Sequence, residues 1–375
     1  MVSLYIHIPF CRSKCVYCDF NSYAGLEHLH QPYLEALALE IARAGRELSS
    51  PAVATIYLGG GTPTVLSLEG LGRILQACRE AFAVDEEAEV TSEANPGTID
   101  LGYLEGLLGL GVGRLSLGVQ SLQDEELGLL GRIHTASEAQ ACYRMARRAG
   151  FRNINLDLIY GLPGQTMESW EYTLREALAW EPEHLSLYSL SLEPGTPLEA
   201  EVAQGWLPRP DEDLAAEMYL LAEGLLEEAG YDHYEISNWA LPGYQCRHNL
   251  TYWHNQDYLG FGAGAHSRLP GRRYWNLRPP EEYIRRLLSG GSAVEGQEAI
   301  DGSLEMAETM ILGLRLVEGV CFREFKARFG RDPTELYGNE IRELVNLGLL
   351  EADGSGIRLT QRGRLLGNEV FERFL

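Results

Sequence analysis

The chain has 375 residues, 45% of them hydrophobic, and a formal net charge of −23. That is enough apolar chain for a sizeable core and more than one domain, while the acidic balance, with no basic run to offset it, excludes nucleic acid as an expected partner. No apolar stretch approaches membrane-spanning length and the N-terminus does not read as a signal peptide, so a cytoplasmic protein is expected.

Leu4–Ile8 reads as a buried strand, ended by Pro9. It leads into Cys11-Arg12-Ser13-Lys14-Cys15-Val16-Tyr17-Cys18, three thiols spaced CxxxCxxC. Thiolates are the usual ligands of iron–sulfur clusters, and a [4Fe–4S] cube has four irons. Cys11, Cys15 and Cys18 therefore suit three irons and leave the fourth open. Structural zinc would want a fourth ligand at finger spacing, which is missing. A redox pair of Cys15 and Cys18 would not need Cys11. The other four cysteines (Cys78, Cys142, Cys246, Cys321) are scattered singly. An odd total with one cluster argues against a disulfide framework and for a reducing compartment.

A helix is expected over about Tyr33–Leu48, then a short strand at Thr55–Leu58 running into Gly59-Gly60-Gly61-Thr62-Pro63. Glycines after a strand let a ligand approach the backbone. Ser67 should cap the next helix, to about Phe82. Four further strands are expected at Val90–Ala94, Arg114–Ser121, Asn153–Tyr160 and His184–Ser191, with helices near 101–110, 137–149 and 167–179 between them. Strand and helix alternating through six strands predict an α/β fold with parallel strands and crossover helices. Glu93, Gln120, Asp157 and Ser191 fall at strand ends, where a parallel barrel places its active site.

After Pro208–Pro210 the pattern changes. An amphipathic helix (213–229) and an aromatic-rich stretch (231–239) precede Gly243-Tyr244-Gln245-Cys246-Arg247-His248-Asn249-Leu250-Thr251-Tyr252-Trp253-His254. A neutral imidazole among aromatic faces suits a haem, although such a histidine is more often a hydrogen-bonded core or surface residue. Candidate iron ligands are His248 first, then Cys246, His254 and His266, the last behind a glycine-rich turn at 260–264. A strand at 274–277, a helix at 280–288 and a linker from Gly290 follow. Three helices and a hairpin from 304 onward outline a winged helix. Its would-be recognition helix carries Glu335, Glu340 and Glu343, a poor face for phosphate, so the module reads as a packing or partner-binding cap.

CxxxCxxC directly after a strand, with Tyr17 before the last cysteine, resembles the radical S-adenosylmethionine (SAM) superfamily. Tyr5-Ile6-His7-Ile8-Pro9-Phe10-Cys11 and Asp19-Phe20-Asn21-Ser22 are similar to its oxygen-independent coproporphyrinogen oxidase group, which contains oxidases and the HemW haem chaperones. The oxidases carry a further cysteine two residues after the third; Phe20 stands there, as in the chaperone branch. Gly-Val-Gln (118–120), Gly-Arg-Ile-His (131–134), Asn-Leu-Asp-Leu-Ile-Tyr-Gly-Leu-Pro (155–163) and His-Asn-x-x-Tyr-Trp (248–253) match the group as well.

The resemblance covers essentially the whole chain. It implies a partial (β/α)6 radical SAM barrel with the cluster loop (1–207), an α+β accessory region with a haem motif (208–300) and a winged-helix-like C-terminal domain (301–375). It implies SAM contacts from Tyr5, Gly60, Gly61, Thr62, Glu93, Gln120, Arg132, Asp157 and Ser191, with SAM on the open iron. It implies haem contacts from His248, Asn249, Tyr252 and Trp253, with His248 on the iron. The expected function is a haem chaperone that delivers haem to acceptor haemoproteins, membrane-bound respiratory enzymes among them, with a homodimer as a candidate assembly. The alternative is an oxygen-independent coproporphyrinogen III oxidase forming protoporphyrinogen IX.

Overall fold

The computed structural model describes all 375 residues. Six parallel strands alternate with helices as expected: β1 (Val2–Ile8), β2 (Ala52–Gly60), β3 (Ala83–Ala94), β4 (Arg114–Gln120), β5 (Ile154–Tyr160) and β6 (His184–Ser189). The crossovers carry α1 (His30–Glu47), α2 (Leu68–Ala81), α3 (Leu101–Gly109), α4 (Asp124–Leu129), α5 (Ala136–Ala149) and α6 (Met167–Ala179). Ser67 accepts from Gly70 N at 3.1 Å and so caps α2. β1, β4 and β5 are buried along almost their whole length, as strands covered on both faces must be.

Beyond β6 come α7 (Pro197–Ala203), α8 (Glu212–Glu228), the hairpin of β7 (Asp232–Glu235) and β8 (Asn238–Ala240), and α9 (Arg247–Trp253). Then follow β9 (Tyr258–Phe261), β10 (His266–Leu269), β11 (Arg272–Asn276), α10 (Pro280–Leu288) and β12 (Val294–Ala299). All twelve strands form one sheet, ordered β12-β11-β10-β9-β1-β2-β3-β4-β5-β6-β8-β7. β9 runs parallel to β1, so the barrel has a seventh parallel strand that the sequence did not suggest. Tyr-Leu-Gly-Phe is only four residues long and runs into the glycines, so it reads as part of a turn.

One core of 59 buried residues runs from Val2 to Ala293. The change of pattern near 208 therefore does not divide two cores: Met218, Trp239, Leu259 and Tyr283 pack into the same interior as β1 to β6. The segment expected as a linker from Gly290 supplies the edge strand β12.

A second core of 13 buried residues, Met310 to Phe374, belongs to the C-terminal part. It joins α11 (Gly302–Gly313), α12 (Phe322–Phe329) and α13 (Pro333–Asn346) to a three-stranded sheet of β13 (Val320–Cys321), β14 (Leu350–Ala352) and β15 (Gly356–Leu359). This is the three-helix and hairpin outline expected. No helix is long and apolar enough to cross a membrane.

Candidate functional site

The three cysteines lie on a loop closed at its base by parallel pairing of Phe10–Cys11 with Tyr23–Ala24. Asn21 pins the returning end: its Nδ2 donates to Ala263 O (2.9 Å) and Arg278 O (3.0 Å), and its carbonyl meets His7 Nε2 at 2.9 Å. The free thiols of Cys11, Cys15 and Cys18 are all partly exposed. They line one cavity of about 280 Å³ at the C-terminal ends of β2 to β6.

The triple glycine explains how the loop reaches that mouth. Gly60 has φ +114°, and a Cβ there would sit 2.5 Å from the His7 ring. At Gly61 a Cβ would lie 2.6 Å from Phe10 O and 3.0 Å from Cys11 Sγ. The close approach that these glycines permit is first of all that of the cluster loop itself.

The strand-end polar residues converge on the same cavity. Gly60, Gly61, Thr62, Glu93, Gln120, Arg132 and Asp157 all line it. Glu93 accepts from Tyr57 OH (3.0 Å) and Gly60 N (3.1 Å). Burial pushes its carboxyl up to about 7, helped by Asp157. Asp157 is itself raised by burial, against hydrogen bonds from Ser116 Oγ (3.0 Å) and Asn155 Nδ2 (2.8 Å). Gln120 takes φ +68° at a register shift between β4 and β5, local strain of the kind found at working sites. Arg132 donates to Asn95 Oδ1 and Gly118 O, both at 2.6 Å, and to Cys15 Sγ at 3.4 Å.

Two expected residues do not reach this cavity. Ser191 is exposed and lies beyond the end of β6 at Ser189; Tyr188 lines the cavity from that strand instead. Tyr5 lies deeper in the barrel, its hydroxyl 3.0 Å from His7 Nδ1. Asn95, Tyr57 and Ser116 line the cavity and were missed. Asn95 sits in the Glu-Ala-Asn-Pro-Gly strand end, and that position was its only signal.

The donor set fits a [4Fe–4S] cluster with SAM. No three His, Cys, Asp or Glu side chains converge as one bound metal ion would require, whereas a cube takes each thiolate on a different iron. The Arg132 Nε is buried without a partner, ready for an anionic group. The crowded Glu93 and Asp157 carboxyls are ready for a cation and for hydroxyl donors. When bound, the cluster would supply an electron and an open iron for SAM.

The haem string occupies the opposite end of the barrel. α9 closes the side where the strands start, and His248 is 1% exposed. Its Nδ1 lies 2.7 Å from Thr55 Oγ1 and its Nε2 2.9 Å from Tyr252 OH. Burial, with Arg114 nearby, pushes its pKa down to about 3, so the ring is neutral. Trp253 carries the Arg315 guanidinium over its ring at 4.9 Å, and Asn249 is half-buried. Of the other candidates, Cys246 is fully buried with its thiol pushed up to about 12 by burial. His254 and His266 are exposed. The four are not brought to one point, and in this conformation both nitrogens of His248 are taken.

Residues 5–177 match the radical SAM superfamily, and residues 304–366 match the HemN C-terminal domain. The chain is 39% identical to the heme chaperone HemW of Bacillus subtilis over all of its own length and 99% of that protein's. It is 36% identical to HemW of Escherichia coli, covering 100% and 98% of the two chains. The chain belongs to the HemW family. Among solved structures, the coproporphyrinogen III oxidase HemN from Escherichia coli, described as a radical SAM enzyme, superposes with a TM-score of 0.87 at 27% identity. That match covers 100% of this chain and 89% of HemN, so this chain's architecture is found in HemN along its whole length. Phe20, 65% exposed, stands at the cavity mouth.

Proposed function

We propose that this protein is a haem chaperone that binds haem and passes it to acceptor haemoproteins. Its [4Fe–4S] cluster sits on Cys11, Cys15 and Cys18, and SAM is held by Gly60 to Thr62, Glu93, Gln120, Arg132 and Asp157. The observation that carries this function is full-length kinship with HemW proteins. Phe20 at the oxidases' extra cysteine position and the His-Asn-x-x-Tyr-Trp string support it. His248 is the iron ligand, and Asn249, Tyr252 and Trp253 shape its surroundings. Tyr5 and Ser191, the other SAM contacts that the resemblance implies, do not line the cluster cavity.

The chain divides functionally into the barrel with its cluster loop (1–207), the accessory region with the haem string (208–300) and the cap (301–375). It works in the cytoplasm. Membrane-bound respiratory enzymes are acceptors within reach of such a protein, and a homodimer is its proposed assembly.

The test is a pair of anaerobic assays on reconstituted protein. Haem is titrated by absorbance, and porphyrin products are analysed after incubation with SAM, reductant and coproporphyrinogen III. Tight haem binding without protoporphyrinogen IX is expected. More than one turnover to protoporphyrinogen IX would establish the oxidase instead.

A further inference from the structure

The parallel register sets Asn155 of β5 beside Ser116 of β4 on one side and His184 of β6 on the other. All three are buried, His184 completely. Ser116 reaches the cluster cavity, whereas Asn155 and His184 lie below it in the barrel. Polar groups so placed are costly unless each finds a partner, and here the partners form a chain. Tyr234 OH of β7 lies 2.8 Å from His184 Nε2, and His184 Nδ1 lies 2.6 Å from Asn155 Oδ1. Asn155 Nδ2 donates to Ser116 Oγ (2.7 Å) and to Asp157 Oδ1 (2.8 Å), and Ser116 Oγ donates to Asp157 Oδ2 (3.0 Å). The chain therefore ends on a carboxyl that lines the cavity.

The direction of every bond in the chain is set at Tyr234. Burial, with Arg114 nearby, holds the pKa of His184 well below the ordinary range, so the ring is neutral and carries a single N–H. Tyr234 OH accepts from Cys246 N at 3.4 Å, and its own proton goes to His184 Nε2. The ring N–H is left on Nδ1 and donates to Asn155 Oδ1, which also accepts from Ser186 Oγ at 3.1 Å. With its oxygen held by two donors, the Asn155 amide turns its NH2 to Asp157. The other ring tautomer would flip the amide and set a carbonyl against the carboxylate.

Resting on the SAM site proposed above, we infer that His184, oriented by Tyr234, is a positioning residue for SAM: through Asn155 it presents Asp157 to the cavity as a pure acceptor for the ribose hydroxyls. An ionised carboxylate only accepts, whereas a protonated one also donates. The two donors fixed on its inner side favour the ionised form and leave its remaining lone pairs to the cavity. A hydroxyl there makes a charge-assisted hydrogen bond, and a sugar without it leaves a carboxylate lone pair unmet. Selectivity for a ribose is thus built partly from residues that do not touch it.

The test is calorimetric titration of the full-length, anaerobically reconstituted protein with SAM and with two SAM analogues, each lacking one of the ribose hydroxyls. Wild type should prefer SAM over the weaker analogue by about tenfold or more, as one hydrogen bond to a charged group allows. His184→Leu should lose that preference with its iron–sulfur absorbance unchanged. His184→Gln, whose amide can accept from Tyr234 and donate to Asn155, should keep it. A residue that only filled space would weaken SAM and both analogues alike, and glutamine would then do no better than leucine. Should His184→Leu fail to fold, Tyr234→Phe decides: it removes only the hydroxyl that sets the tautomer, and should cut the preference roughly threefold. Wild-type preference in either folded variant would overturn the inference and leave the SAM site standing. A wild-type chain that binds SAM and both analogues equally would take Asp157 out of the SAM set, and the inference would fall with that reading.

Discussion

The guanidinium of Arg132 donates to the Sγ of Cys15 at 3.4 Å, across 117 residues of sequence. One arginine thus contacts a cluster thiol, the Asn95 side chain at the end of β3 and the Gly118 carbonyl of β4, and still has a buried Nε to offer. A cation so placed attracts a carboxylate.

Arg132→Gln should therefore weaken SAM binding roughly 10- to 100-fold, in line with the ~1.5–3 kcal/mol of a charge-assisted hydrogen bond. It should also lower the reduction potential of the cluster, because the oxidised state is penalised less without the nearby positive charge. Isothermal titration and a redox titration followed by electron paramagnetic resonance read the two effects separately. Unchanged SAM affinity would remove Arg132 from the binding set.

The glycine segment makes a steric prediction. Gly61→Ala puts a methyl against Phe10 O and Cys11 Sγ, so the cluster loop must shift. Iron content after anaerobic reconstitution should fall to less than half. Gly109→Ala has nothing within 4 Å of its new Cβ and serves as the control, with full iron content and no loss of stability. Equal loading of the two variants would show that the loop tolerates the shift.

Much of this site was legible in the sequence because its parts are local. Three thiols at fixed spacing, glycines after a strand and polar residues at strand ends follow from chain order and from where parallel strands point. What sequence could not show are relations between distant segments. Tyr258–Phe261 became a strand because β1 had a free edge, not because four residues demand it. Ser191 was placed at a strand end, but β6 stops at Ser189 and Tyr188 of that strand lines the cavity. His248 read as an available ligand in an aromatic loop. Its burial depends on Thr55 and Tyr57 of a strand nearly two hundred residues away, whose side chains meet it at 2.7 Å and, between rings, at 5.1 Å.

A pH effect follows from Glu40, half-buried under the 262–264 turn. It accepts from Tyr283 OH (2.6 Å), Asn276 Nδ2 (2.6 Å) and Gly262 N (2.9 Å), yet burial pushes it from 4.5 up to about 7. Between those pH values the folded chain holds a proton that the unfolded chain has released. Its contribution is fully present below about 4.5 and is lost as pH rises through about 7. The size is about 3 kcal/mol, at 1.36 kcal/mol per pH unit. Buried histidines such as His184 and His248 are lowered and act in the opposite sense, so wild type must be compared with Glu40→Gln. In urea unfolding, the advantage of wild type over the variant should be largest below about pH 4.5 and shrink by pH 8. A difference independent of pH would mean that Glu40 keeps an ordinary carboxylate pKa.

The C-terminal cap has its own 13-residue core, against which Ile236 of the barrel side packs, and its seam also carries polar contacts. Arg268 joins Asp257 (2.9 Å) to Glu305 of α11 (3.1 Å), and Arg328 of α12 donates to the His254 and Asn255 carbonyls. Ile236 N donates to Arg315 O, and Val317 N to Tyr234 O, which adds a short strand-like bridge. None of these contacts touches the cluster cavity, whereas Glu305 and Arg328 line a larger cavity at the opposite end. Removing residues 301–375 should therefore leave the iron–sulfur absorbance and SAM affinity within about twofold of wild type, since the barrel keeps its own 59-residue core. Loss of the cluster on truncation would show instead that the barrel depends on the cap, and the two ends of the molecule would then have to be treated as one unit.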